Sequence, residues 1–163
     1  MPCWQSTERN ISVTEINQIP YFDGHCDTIW RCMQTEPVAD YGDTEEARRA
    51  YFSACSALRE NGGHVDLLRG QSYQKRAQIF ALYDDVSALP ENTAWTKLRE
   101  MHDWFIFQIK ENSDLISLCK TGAEVDAAAA QHKTAALLSI EGADLLDCDL
   151  GKLETVAGWG VRI

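Results

Sequence analysis

The sequence predicts an α/β fold: a parallel (β/α) barrel of the TIM type, of which this chain supplies about the first half. Two observations carry the prediction. Strand-like segments alternate with helical segments along the 163 residues, and such alternation implies parallel pairing with right-handed crossovers. Polar side chains also follow two of the predicted strands, and barrel sites assemble at the carboxyl ends of strands. An open doubly wound sheet is the alternative architecture.

The first part of the chain supplies two strands and a helix. The apolar segment 19–22 predicts a strand that leads into a polar stretch. A helix is predicted over 44–59 because apolar side chains recur there at helical spacing. Glycines 62–63 end that helix. Side chains that alternate along 77–83 predict the second strand.

Two helices follow in the middle of the chain. The capping box of Thr121 and Glu124 predicts an alanine-rich helix that runs to about Lys133. The helix before it is capped by Asn92 or Thr93. It presents one apolar stripe, formed by Trp95, Leu98, His102, Phe105, Ile106 and Ile109.

A strand, a helix and a further strand complete the order β-α-β-α-α-β-α-β. They are predicted at 134–141, at 150–157 and from Gly160 onward. No repeat or linker divides the chain, so residues 1–163 are predicted to be one domain segment. Residues 1–18 form an amino-terminal extension.

Composition excludes several classes of protein. With 45% hydrophobic residues the chain can bury a core, and its net charge of −10 without a basic cluster argues against nucleic acid binding. No segment approaches the roughly 18 apolar residues of a membrane span, and the first ten residues lack the charged start and apolar core that are typical of a signal peptide. The six scattered cysteines form no C-x-x-C pair, which favours reduced thiols. We therefore expect a cytoplasmic protein.

The chemistry-bearing residues lie after two predicted strands. In an extended segment Asp23, His25 and Asp27 face one way, and Cys26 faces the other. Glu141 ends a later strand. An imidazole with two carboxylates suits zinc or another divalent ion of the first transition row. The alternatives are a hydrogen-bonded structural role for His25 and a helix-capping role for Glu141.

Other polar residues have simpler explanations. His64 suits a loop-anchoring hydrogen bond, and His102 lies on the apolar stripe of its helix. His132 lies at a helix end, where a cationic side chain suits the dipole. Residues Asp84 and Asp85 begin a loop after the second strand, although that position would also allow substrate contact.

Four short motifs occur in an order that resembles the membrane dipeptidase family (renal dipeptidase, peptidase M19). They are Asp-Gly-His-x-Asp-Thr at 23–28, Gly-His-Val-Asp-Leu-x-Arg at 63–69, Ile-Glu-Gly at 140–142 and Gly-Val-Arg at 160–162. The resemblance extends from Phe22 to Ile163, and the ordered combination is far more specific than any single motif.

The resemblance implies a dipeptidase built on a (β/α) barrel with two zinc ions. His25 and Asp27 would bind one zinc, and Glu141 would bridge both. Water between the ions would attack the peptide carbonyl as a metal-bound hydroxide. The family also uses two further histidine ligands, a substrate-contacting histidine and a late aspartate, none of which matches a residue here. The 163 residues alone are therefore expected to be inactive.

The chain departs from the family pattern in one stretch. Where the family continues with Leu-Pro-Arg and a glycine-rich turn into the second strand, this chain has Leu67-Leu68-Arg69-Gly70, followed by Gln-Ser-Tyr-Gln-Lys-Arg at 71–76. This departure leaves the substrate preference open.

Two functional hypotheses follow. The first is a zinc-dependent dipeptidase, or a related metal-dependent amidohydrolase with another substrate. The second is a non-catalytic half-barrel that pairs its last strand with another chain, because an open parallel sheet exposes unpaired backbone groups. The expected partner is a dipeptide, and a homodimer is compatible with either hypothesis.

Overall fold

A parallel sheet of four strands organises the part of the chain that this computed structural model describes, residues 19–34, 44–47 and 57–163. Its strands are β1 (Tyr21–Asp23), β2 (Arg76–Leu82), β3 (Ile116–Leu118) and β4 (Thr134–Ile140), in the spatial order β1-β2-β4-β3. All pairs are parallel. The predicted α/β class with parallel pairing is confirmed.

Five α-helices that lie wholly within the described part connect and cover the strands. They are α1 (Thr28–Cys32), α2 (Leu67–Gly70), α3 (Ala94–Glu111), α4 (Gly122–Ala130) and α5 (Leu153–Trp159). The predicted capping box is confirmed, because the Thr121 hydroxyl accepts from the Glu124 amide and the Glu124 carboxylate accepts from the Thr121 amide. Short 3-10 helices occur at Val86–Ala88, Ala143–Leu146 and Leu150–Lys152.

The strand β3 corrects the predicted element order. The sequence prediction passed directly from one helix to the next, but β3 lies between α3 and α4 and pairs with the first half of β4. Three residues are too few to display the alternation that marks a strand. Further along the same edge of β4, Val161 pairs with Leu138 in parallel, as expected for a strand after Gly160.

One predicted helix is only partly testable. Of the span 44–59, residues 48–56 lie outside the described part of the chain, as does the extension 1–18. Residues 45–47 are helical. Residues 57–59 are not helical, so the predicted end of this helix is wrong. Leu58 is instead fully buried in a loop, where its amide donates to the Gln108 side chain over 3.0 Å.

The main core lies between the sheet and α3. Phe80 and Leu82 of β2 pack there with buried α3 side chains, and the rings of Phe80 and Phe105 are 5.0 Å apart. On the opposite face of the sheet, Ala77 and Ala135 pack with α4. These two residues lie near the amino ends of β2 and β4. Because side chains alternate along a strand, the Glu141 side chain lies on the same face of the sheet as Ala135, but at the carboxyl end of β4. That carboxyl end is where the predicted site lies.

Candidate metal centre

Cys26 anchors the segment that carries two of the predicted ligands. Its side chain is buried in the main core, and its carbonyl accepts a hydrogen bond of 3.0 Å from the Ala81 amide of β2. Burial raises the pKa of the thiol to about 11. The neighbouring His25 and Asp27 are exposed. The prediction that Cys26 faces away from the candidate ligands is confirmed.

Glu141 is placed by the pairing of β2 and β4. Its amide donates to the Leu82 carbonyl over 3.1 Å, which extends the ladder by one residue beyond Ile140. Gly142 then turns the chain with a φ of 94°. The next 3-10 helix begins directly after that glycine, and no side chain caps it. The capping alternative for Glu141 is therefore excluded, and its side chain is available to the site.

The three predicted ligands converge on one point. His25 Nε2 lies 3.1 Å from Asp27 Oδ1 and 3.3 Å from Glu141 Oε2. One ligand atom from each residue lies within 4.8 Å of the others. Two atoms bound to zinc at the usual lengths in a tetrahedron are about 3.3–3.5 Å apart. The spacing thus fits a cation held between the three side chains.

The donor set also fits a metal. One neutral imidazole nitrogen and two carboxylate oxygens are ligands that zinc and similar ions accept. The side chains are about half exposed, at 49% for His25, 46% for Asp27 and 51% for Glu141, so an ion and a water molecule can reach them. Further positions around such an ion are open to other ligands.

Asp23 is not one of the converging ligands. The strand β1 ends at this residue, so the period of two does not continue to His25. The Asp23 carboxylate instead accepts from the Tyr21 hydroxyl over 2.9 Å and from the His25 amide over 3.1 Å. It fixes the start of the ligand segment and stands outside the converging group.

Tyr83 belongs to the surroundings of the site, although the sequence analysis gave it no role. It follows β2 directly, in register with Glu141, because Leu82 is paired with Ile140. Desolvation raises the pKa of Tyr83, and the carboxylates of Asp85, Glu141 and Asp27 raise it further. The sequence feature that could have identified Tyr83 is its position at the end of the predicted strand 77–83.

The loop assignment for Asp84 and Asp85 agrees with the structure. Asp84 accepts from Trp30 Nε1 of α1 over 3.2 Å and lies 3.5 Å from Lys97 Nζ. Asp85 caps the following 3-10 helix. Asp84 thus ties the helix that follows Asp27 to the end of β2, and it supports the ligands rather than joining them.

The remaining described histidines are not members of the converging group. His102 is stacked on Trp159 with ring centroids 4.4 Å apart, which agrees with a structural role. His132 is exposed beyond the end of α4. His64 lines a cavity of about 330 Å³ beside the candidate site, together with Asp23, His25, Asp27 and Arg31.

No helix in the described ranges is both long and apolar enough to cross a lipid bilayer. The described cysteines Cys26, Cys32, Cys119 and Cys148 are free thiols.

Solved structures with the same fold include two metallopeptidases. One, from Rhodobacter sphaeroides, was crystallised with a phosphinate mimic of the dipeptide L-Ala-D-Ala; its TM-score is 0.65 at 21% identity, over 89% of this chain and 44% of that one. The other is the dipeptidase AC of family M19, with a TM-score of 0.65 at 24% identity, over 89% and 41%. These matches confirm the predicted fold class.

A third similar structure is the probable dipeptidase PvdM from Pseudomonas aeruginosa, with a TM-score of 0.61 at 16% identity, over 93% of this chain and 34% of that one. The chain thus spans less than half the length of these structures. Comparison with curated proteins gave no match. Residues 12–163 match the sequence model of the membrane dipeptidase family. The chain therefore belongs to the membrane dipeptidase family, peptidase family M19.

Proposed function

We propose that the chain carries part of the metal centre of a zinc-dependent dipeptidase, with His25, Asp27 and Glu141 as ligands. The observation that carries the proposal is the convergence of one nitrogen and two oxygens within 4.8 Å. Membership of a metallopeptidase family supports it. So does the similar structure that was crystallised with a dipeptide mimic.

The ligand roles differ in what each side chain offers. His25 presents Nε2 to both carboxylates, so it is the centre of the group. Glu141 has two carboxylate oxygens, and a carboxylate of this kind can bridge two ions. We therefore propose two zinc ions in the complete site. A bound zinc supplies Lewis acidity, which polarises a carbonyl and makes water a better nucleophile.

The residues of this chain do the positioning. Two backbone hydrogen bonds fix the ligand segments to β2. The Cys26 carbonyl accepts from the Ala81 amide, and the Glu141 amide donates to the Leu82 carbonyl. Asp84 fixes α1 through Trp30. Supporting bonds of this kind hold ligands in the orientation that a metal needs.

Activity on a dipeptide belongs to the whole protein. This chain covers 44% and 41% of the two metallopeptidases. We therefore expect the further metal ligands and the substrate contacts to come from a region that corresponds to the rest of those structures. A cytoplasmic location and a homodimer remain predictions. Hydrolysis of a dipeptide panel that includes D-configured carboxyl-terminal residues distinguishes a dipeptidase from an amidohydrolase with another substrate.

Metal binding by the purified chain tests the proposal. We expect zinc, titrated by calorimetry into metal-free protein, to bind at the site. The substitution Glu141→Gln should weaken zinc binding by about a hundredfold or more, because losing a supporting residue already costs 10–100-fold. The matched control is Glu100→Gln, which makes the same chemical change at an exposed position of α3. Equal zinc affinity for both variants would refute the ligand assignment.

A further inference from the structure

Arg76 is a buried cation at the amino-terminal end of β2. The residue is 4% exposed. Its guanidinium donates to Thr134 Oγ1 over 2.8 Å, to the Tyr73 carbonyl over 3.1 Å and to the His132 carbonyl over 2.7 Å. A guanidinium has five N–H groups, so two of them stay outside these three bonds.

The charge of Arg76 is not balanced by a carboxylate in the described part of the chain. All three acceptors are neutral oxygens, and no ion pair there includes this residue. Burial lowers the pKa of the guanidinium. Burying a cation without an opposite charge is costly. The site would therefore gain from an anion.

Arg76 is part of the wall of a cavity of about 240 Å³. The same wall includes Thr134, Tyr73, Ser72, Arg69 and Asp66. The Asp66 carboxylate is paired with the Arg69 guanidinium and also caps α2. These two charges offset each other, which leaves Arg76 as the excess positive charge of the wall.

The Arg76 end of the cavity lies away from the metal ligands. Arg76 and Thr134 are the first residues of β2 and β4, whereas His25 and Glu141 lie beyond the carboxyl ends. Six steps along a strand of about 3.3 Å each place the two ends of β2 about 20 Å apart. Ser72, Tyr73 and Arg76 all come from 71–76, the stretch in which the chain departs from the family pattern.

We propose that this cavity is a binding site for a small oxyanion such as phosphate. The remaining N–H groups of Arg76 donate to it. The Thr134 hydroxyl accepts from Arg76 and keeps its own hydrogen for a second donor contact. An anion held in this way balances the buried charge and joins the starts of β2 and β4. Charge-assisted bonds of this type are the stronger class of hydrogen bond.

The test is a calorimetric titration of inorganic phosphate into the metal-free chain at constant ionic strength. We expect one phosphate per chain. The substitution Arg76→Met should lower the affinity by about tenfold or more, since a hydrogen bond to a charged group contributes about 1.5–3 kcal/mol. The control Arg99→Met, which removes the same charge from an exposed position of α3, should bind phosphate like the unmodified chain.

Two further results decide the matter. The variant Arg76→Lys keeps the charge but has fewer donors, so it should fold and bind phosphate more weakly than the original chain. The proposal is overturned if the unmodified chain binds no phosphate at millimolar concentration. It is equally overturned if folded Arg76 variants bind as well as Arg99→Met, which would indicate adsorption elsewhere on the surface. Because no zinc is present, neither result depends on the metal centre.

Discussion

At the scale of single residues, the burial of Cys26 positions the two candidate ligands next to it, His25 and Asp27. Its side chain enters the core while its two neighbours stay exposed. The alternation of side chains in the sequence predicted this direction correctly. The strand β1 ends three residues before Cys26, at Asp23, so regular strand alternation does not itself extend to Cys26. A sequence pattern cannot show where a three-residue strand ends.

Thiol reactivity tests the burial of Cys26. Because burial raises its pKa from 9.0 to about 11, the thiolate fraction near pH 8 falls about a hundredfold, and reaction with iodoacetamide slows accordingly. Cys148 is exposed and should react first. Peptide mapping by mass spectrometry after brief alkylation measures both rates. Equal rates in the folded chain would contradict the placement of Cys26, and the denatured chain is the control.

At the scale of elements, long patterned segments were predictable and short ones were not. The helix α3 and the capping box of α4 follow from periodicity and from cap chemistry. The strand β3 was missed because its three residues gain their strand identity from pairing with β4. The position of Tyr83 beside Glu141 likewise depends on the register of β2 and β4, which no local pattern contains.

The capping box of α4 makes a testable contribution to stability. The substitution Thr121→Ala removes the hydroxyl that accepts from the Glu124 amide. It should lower the free energy of unfolding by about 1 kcal/mol, measured by urea denaturation. Thr155→Ala, at an exposed position within α5, is the control and should change the stability less. A cost at Thr121 no larger than at Thr155 would contradict the role of the cap.

The capping box also predicts a pH dependence. Hydrogen bonds from the Lys120 and Thr121 amides lower the pKa of Glu124 below 4.5 in the folded chain. A lowered carboxyl pKa stabilises the folded state above the unfolded pKa, and this stabilisation is lost as the pH falls through the folded pKa. Glu124→Gln should therefore reduce the loss of stability below about pH 4.5. An unchanged acid profile would be inconsistent with this role.

At the scale of the whole molecule, exposed apolar side chains occur in the carboxyl-terminal part of the chain. Leu150 is 80% exposed, Leu153 47% and Ile163 63%. Leu153 and Ile163 line a cavity of about 530 Å³ together with Ile140, Leu146, Val156 and Val161. Contiguous exposed apolar surface commonly marks an interaction site. If two copies of the chain associate, as one of the two functional hypotheses predicts, this surface is where we expect them to meet.

Self-association of the purified chain tests that expectation. Sedimentation velocity at micromolar concentration should show species larger than the 18.3 kDa monomer. Leu153→Lys should shift the distribution towards the monomer, because a charge in an apolar contact is costly. Thr155→Lys adds the same charge on the same helix at an exposed polar position and should have less effect. A monomeric unmodified chain would rule out self-association through this surface.

The most direct test of the central claim is anomalous diffraction at the zinc edge from crystals of the chain grown with zinc. The proposed function predicts a peak between His25 Nε2, Asp27 Oδ1 and Glu141 Oε2, within bonding distance of all three atoms. A well-ordered map with zinc bound elsewhere, or with none at these residues, would contradict the assignment of the metal centre.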